Sequence, residues 1–189
     1  MKDVAPHHKI SIAISGKSGC GNTTVSRLVA EQTGLDFINF TFRSLAAEHN
    51  MRLEDILHKA AHDDSWDREV DDRQVKMARQ SEKGCVLGSR LAIWMLPEAT
   101  LKIYLKADAE TRIRRIMQRE GGDFAVVESF TRERDRQDSE RYRRLYGINN
   151  DDYSFANLII DTGIQSPEEI TQHIIKHLRF VLLHSNITL

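Results

Sequence analysis

Residues 10–24 read Ile-Ser-Ile-Ala-Ile-Ser-Gly-Lys-Ser-Gly-Cys-Gly-Asn-Thr-Thr, an apolar run that passes into a glycine-rich loop and then into a hydroxyl pair. The pattern is that of a phosphate-binding loop, G-x-x-x-x-G-K-[ST]. Its backbone N–H groups cradle phosphates, its lysine reaches them, and its hydroxyl ligates Mg²⁺. Gly16, Gly21 and Thr23 fit, whereas Asn22 stands in the lysine position. The flanks supply the required context. Lys9 to Ser15 predicts a strand, and Val25, Leu28 and Val29 lie at one-face helical spacing from Thr23 to Gln32, with Gly34 as the stop. Phosphate contacts are therefore expected from Gly16, Lys17, Ser18, Gly19, Cys20, Gly21, Asn22, Thr23 and Thr24, with Thr23 as the metal ligand. Lys17, at the second loop position, either folds back onto the phosphates or is a solvated loop residue.

Beyond the loop, strand-like runs recur near residues 9–15, 36–40, 85–88, 101–105 and 157–161, with helical patterns between them. Such alternation predicts one α/β domain on a parallel sheet, whose ligands bind past the carboxyl ends of the strands. Two segments interrupt it. Residues 41–83 are largely helical, with apolar positions including Leu45, Ile56, Leu57, Val70 and Met77. Residues 121–149 are polar, open at Gly121-Gly122 and close at Tyr146-Gly147. Each is expected to be a flap over the loop.

Between Arg112 and Arg144 there are ten arginines and no lysine, interleaved with seven acids. Arginine's planar fork suits bidentate grip on phosphate, and the interleaved acids suit ion pairs along a helix. Both uses are expected within this stretch. Across the whole chain, 27 basic and 28 acidic side chains leave a net charge of −1, which argues against nucleic-acid binding driven by bulk charge. Cys20 and Cys85 form no paired spacing, and no signal peptide or membrane span is recognisable, so a reducing cytoplasm is the expected setting. His7-His8, His58/His62 and His173/His177 lack the Cys or carboxylate partners of a zinc motif and are expected at the surface. Trp66 and Trp94 are expected in packing roles.

Phosphoryl transfer needs positioning and charge neutralisation, and arginines with Mg²⁺ around a phosphate-binding loop are the equipment for it. Neither an Asn-Lys-x-Asp sequence nor a clear Asp-x-x-Gly switch is present, which favours a small-molecule kinase over a signalling GTPase. In order along the chain come Ser15-Gly16 through Thr24, Phe42-Arg43-x-Leu45-Ala46, Asp67-Arg68-Glu69-x-Asp71-x-Arg73-Gln74, Arg90-Leu91-Ala92-x-Trp94-Met95-Leu96, Arg141-Tyr142, Tyr146-Gly147-Ile148 and Ile160-Asp161-Thr162. Together they resemble the cytidylate kinases, most closely their compact archaeal-type branch, over nearly the whole chain.

The resemblance implies a three-layer P-loop kinase fold, with a five-stranded parallel sheet flanked by helices. Its core would comprise residues 1–40, 84–120 and 150–189, its monophosphate-binding insertion 41–83 and its lid 121–149. It implies a nucleoside monophosphate kinase that phosphorylates CMP or dCMP from ATP with Mg²⁺. A monomer without membrane or nucleic-acid partners is expected. Arg43 and Arg90 would clamp the acceptor phosphate. Arg134, Asp138 and Arg141 share a helix face at i, i+4 and i+7, and in a pattern similar to that of bacterial cytidylate kinases they would touch the acceptor sugar and phosphate. Arg119 would stack on adenine, and Arg68, Asp72 and Arg73 are the candidates for reading cytosine. Lys17, Arg134 and Arg141 are the expected catalytic cations.

Two positions depart from that family's pattern. Asn22 replaces the loop lysine, and Gly88-Ser89 stands where an acidic residue precedes Gly-Arg, leaving Asp161 as a replacement carboxylate. Another monophosphate or phosphorylated metabolite as acceptor, or a nucleotide-binding regulator with little turnover, are the alternative readings.

Overall fold

The computed structural model describes residues 9–185. The segment quoted above forms strand β1 (Ser11–Ser15), the loop, and helix α1 (Asn22–Thr33), which ends at Gly34 in the left-handed region (φ 72°). Then follow β2 (Asp36–Ile38), helices α2 (Phe42–Glu48), α3 (Leu53–Ala60) and α4 (Ser65–Gln80), β3 (Cys85–Gly88), the short α5 (Ala92–Met95) and β4 (Leu101–Lys106). The chain continues through α6 (Ala109–Glu120), α7 (Phe124–Tyr146), β5 (Leu158–Asp161) and α8 (Pro167–Ser185).

All five strands are parallel, in the order β2-β3-β1-β4-β5, and β1 lies between β3 and β4 in registers such as Ile14↔Gly88 and Ile14↔Ile103. The centre of the sheet is covered on both faces, which is why Ile12, Ala13 and Ile14 form an unbroken apolar run with no exposure. One face carries Ile12, Ile14, Val86, Leu101, Ile103 and Leu105 against Val25 and Val29 of α1 and Ile170, Ile174 and Leu178 of α8. The other carries Ala13, Leu87 and Tyr104 against Ala78 of α4 and Ala92, Ile93 and Leu96 around α5. Helix, sheet, helix is the three-layer arrangement the alternation predicts.

The excursion between β2 and β3 has its own small core of Phe40, Leu45, Ala46, Ile56 and Val70, with Trp66 packed against it. Thr41 and Ser44 cap α2 reciprocally, which fixes where that helix starts and hence where Arg43 stands. Strand β2 is shorter than the predicted run: Asn39 and Phe40 leave the sheet and line the cavity described below. Leu57 and Met77, read as core positions, are 46% and 41% exposed: Ile56 and Ala78 beside them take the buried positions, and Leu57 lines the cavity described below. Trp94 packs edge-on to Tyr104 and Phe155. His58 and His62 meet edge to face on an exposed surface, and His7-His8 lies outside the described residues. No helix among the described residues is long and apolar enough to cross a membrane.

Candidate active site

The loop between β1 and α1 is shaped by glycines that no larger residue can replace. A Cβ on Gly16 would stand 2.4 Å from the Leu105 carbonyl oxygen, and one on Gly19 (φ 84°) would stand 2.8 Å from that of Arg112. Gly21, at φ 90°, precedes α1 with no side-chain cap, so the first N–H groups of the helix stay free for an anion. Asn22 is spent on the loop itself, its Nδ2 donating to the Gly16 carbonyl at 2.6 Å. The Thr23 hydroxyl is exposed and accepts from Asn39 Nδ2 at 3.3 Å. Lys17 Nζ meets Asp151 Oδ1 at 2.7 Å, in a pair whose side chains are 29% and 60% exposed.

A cavity of about 880 Å³ opens above this loop, within the size range of small-molecule sites. The sheet order divides it. On the β5 side of β1 stand Arg115, Gln118 and Arg119 of α6 with Thr162 and Gln165 beyond β5. Arg115 is fixed there by donating to Thr162 Oγ1 (2.9 Å) and the Thr162 carbonyl (2.6 Å). On the β3 and β2 side stand Arg43 at the start of α2, Arg90 beyond β3 and the inner face of α4. Helix α7 brings Arg134, Arg141 and Tyr142 to the same space.

Asp138, 6% exposed, ties this side together, accepting from Arg90 Nη1 at 2.6 Å and from Arg141 Nη2 at 2.8 Å. Arg141 Nε also lies 3.2 Å from Asp67 Oδ1. Arg134 has no hydrogen-bond or ion-pair partner among the described residues; burial and the nearby Arg90 guanidinium hold its pKa below the usual arginine value. Burial raises Asp67, with Arg141 opposing, and pushes Asp71 up to about 6 with partial relief from the Tyr146 hydroxyl. The site therefore presents excess positive charge to whatever enters it.

All nine loop residues from Gly16 to Thr24 line the cavity, as do Arg43, Arg90, Arg119, Arg134 and Arg141. Asp138 acts behind them. Three residues expected at the acceptor lie elsewhere. Arg68 donates to the Leu145 carbonyl and lies over the Tyr146 ring, Arg73 pairs with Glu48, and Asp72 is exposed. The reason is helical period: Asp67, Val70, Asp71 and Gln74, at i, i+3, i+4 and i+7, form the inner stripe of α4, and positions 68, 72 and 73 flank it. Asp161 is also off the cavity, accepting from the Gly163 N–H at 2.9 Å. No carboxylate fits at position 88, since a Cβ there would stand 2.4 Å from Ser26 Oγ where β3 packs on α1. Sequence reading missed Arg115, although it lies one helical turn before Arg119, and missed Asp71 and Gln74, although both lie in a quoted motif.

Residues 11–164 match the model of the cytidylate kinase-like family. The chain is 46% identical over 165 residues to cytidylate kinase 2 of Borreliella burgdorferi, covering 85% of this chain and 91% of that one. It is 38% identical over 169 residues to the cytidylate kinase of Archaeoglobus fulgidus, covering 88% and 93%. In fold it is similar to a shikimate kinase from Bacteroides thetaiotaomicron (TM-score 0.63, 13% identity, 90% of this chain and 98% of that one). A deoxyadenosine kinase from M. mycoides with bound dATP is similar too (TM-score 0.56, 15% identity, 90% and 100%).

Proposed function

Because the chain belongs to the cytidylate kinase-like family and is a nucleoside monophosphate kinase, we propose that it transfers the γ-phosphoryl group of ATP to CMP or dCMP, giving ADP and CDP or dCDP. The observation that carries this reading is the convergence of Arg43, Arg90, Arg134 and Arg141 on a cavity whose floor is a glycine-rich anion loop. An acceptor that already bears a phosphate supplies the charge those guanidinium groups lack.

In this reading the free amides of the loop and of α1 hold the donor phosphates, with adenine toward Arg115, Gln118 and Arg119. Arg43, Arg90 and Arg141 hold the acceptor phosphate. Arg134, on α7 and without a carboxylate partner among the described residues, neutralises the group in flight, where fixed charge in a water-poor site is most effective. Lys17 replaces the missing loop lysine. Its pair with Asp151 is exposed and so contributes no more than about 1 kcal/mol, which leaves Lys17 free to exchange Asp151 for phosphate.

Mg²⁺ fits the donor set. No three His, Cys, Asp or Glu side chains are gathered as metal ligands among the described residues, but the Thr23 hydroxyl faces the cavity, and a small hard cation beside a nucleotide takes its other ligands from phosphate and water. Bound there, it would neutralise phosphate charge. We expect a monomer to be active.

The test is ADP and nucleoside diphosphate formation from ATP with CMP, dCMP, UMP and AMP in turn. Preference for CMP or dCMP is expected. Preference for AMP refutes the acceptor, and tight nucleotide binding without any product identifies a regulator whose loop Asn22 has disabled.

A further inference from the structure

The inner stripe of α4 is the part of the cavity wall for which the proposed reaction gives no role. Of its four residues, Asp67 is engaged by Arg141 and Val70 is apolar. Asp71 and Gln74 remain. Asp71 Oδ2 accepts from the Tyr146 hydroxyl at 2.8 Å, which anchors the carboxylate to the end of α7. Its Oδ1 has only a 3.5 Å contact from Gln74 Nε2. Gln74 is 5% exposed and lines the cavity, and its Oε1 is buried with no donor. A buried acceptor left unpaired is costly, and native interiors rarely keep one without a use.

Two acceptors with unmet demand thus stand side by side. Around them the wall is apolar: Phe40, Phe42, Leu53 and Leu57 line the same cavity, and Leu57 stays 46% exposed although apolar. Flat apolar walls with one polar edge match an aromatic base. The arginines that suit the phosphate come from other elements, α2, α7 and the turn beyond β3, and of them Arg141 meets this stripe at Asp67.

Resting on the acceptor reading above, we propose that Asp71 and Gln74 read the exocyclic amine of the acceptor base, Asp71 Oδ1 and Gln74 Oε1 each accepting one of its two N–H groups. Cytosine satisfies both acceptors. Uracil places a carbonyl oxygen against them, so acceptor faces acceptor and neither buried group is paired. Selection between the two bases then comes from the penalty on the wrong one as much as from the contact with the right one. A carboxylate accepting from the cytosine amine is a geometry known to discriminate between bases.

The test compares kcat/KM for CMP, UMP and pyrimidin-2-one riboside 5′-monophosphate, which carries hydrogen in place of the amine. With wild-type protein, both amine-free acceptors are expected to fall at least about tenfold below CMP. In Asp71→Asn and in Gln74→Leu, the CMP-to-UMP ratio is expected to narrow by at least about tenfold, because each change removes an acceptor. Equal use of CMP and the pyrimidinone by the wild type overturns the inference and leaves the kinase reading standing. So does a parallel fall for CMP and UMP in both variants, which marks Asp71 and Gln74 as structural supports for α4 and α7. Turnover of UMP but not CMP by the wild type overturns both readings.

Discussion

In the proposed reaction Lys17 takes the role that the loop motif assigns to position 22. Asn22 carries no positive charge and closes the loop onto Gly16 with its Nδ2, whereas Lys17 lines the cavity and is paired with an exposed carboxylate. Lys17→Ala is expected to lower kcat by about 10²-fold, the scale of losing one electrostatic donor in such a site, and Asn22→Lys in that background to restore part of it. Asp151→Ala should change kcat far less. Steady-state kinetics with saturating ATP decide this, and unchanged kcat in Lys17→Ala rejects that role. Asp71 makes a second prediction at this scale. Its pKa of about 6, raised by burial, lies above the ordinary carboxylate value of 3.8, so the folded protein holds this proton more tightly than the unfolded chain does. Stability contributed here is present below pH 3.8 and is lost as pH rises to 6. Asp71→Asn carries no such charge. Its Tm should match wild type near pH 4 and exceed it by roughly 6–12 °C above pH 7, since a rise from 3.8 to about 6 corresponds to about 3 kcal/mol, as read in melting curves from pH 4 to 8. Neither residue's part was legible from spacing alone, because burial and an available partner, not residue type, set both.

At the scale of elements, α6 and α7 are the pair on which the arginine-rich stretch resolves. Most of its exposed arginines pair along their own helix, as Arg114 does with Glu110, Arg132 with Glu128 and Arg136 with Glu133 and Glu140. Arg112 does not. Its guanidinium, 9% exposed, crosses from α6 to grip Asp135 of α7 with both nitrogens (3.2 and 2.5 Å) while donating to the Ser18 carbonyl at 3.0 Å. One side chain therefore links α7 to the phosphate loop. Asp135→Ala leaves that cation buried without its carboxylate and is expected to cost about 3–5 kcal/mol in urea unfolding, whereas Glu128→Ala on the same helix should fall within about 0.5 kcal/mol. The interleaved charges indicated that some arginines serve ion pairs and others the site. Which of them cross between helices depends on how α6 and α7 lie against each other.

For the molecule as a whole, the sheet order places β1 and its loop between two halves of one cavity, and the proposed reaction uses both. Ligands that bind only the folded cavity stabilise it in proportion to the logarithm of their saturation. ATP with Mg²⁺ at about 100 times its Kd should add about 2.7 kcal/mol, or roughly 5–10 °C in Tm. CMP alone should produce its own smaller shift. A flat Tm with both nucleotides present contradicts the site. The chain's sequence by itself determined the strand, loop and helix around Gly16, the five strands, and the glycine stops at Gly34 and Gly147, while its family resemblance pointed to the arginines at positions 43, 90, 134 and 141. These are features of near neighbours, carried by periodicity, by backbone conformations that only glycine adopts easily, and by the short distance from a strand end to the next residue. The tertiary structure alone decided that Asp71 and Gln74 rather than Asp72 and Arg73 face the cavity, that Gly88 has no room for a carboxylate beside Ser26, and that Arg112 is paired while Arg134 has no partner among the described residues. Each of these depends on the angle and depth at which elements far apart in the chain meet, and packing of the whole core sets both.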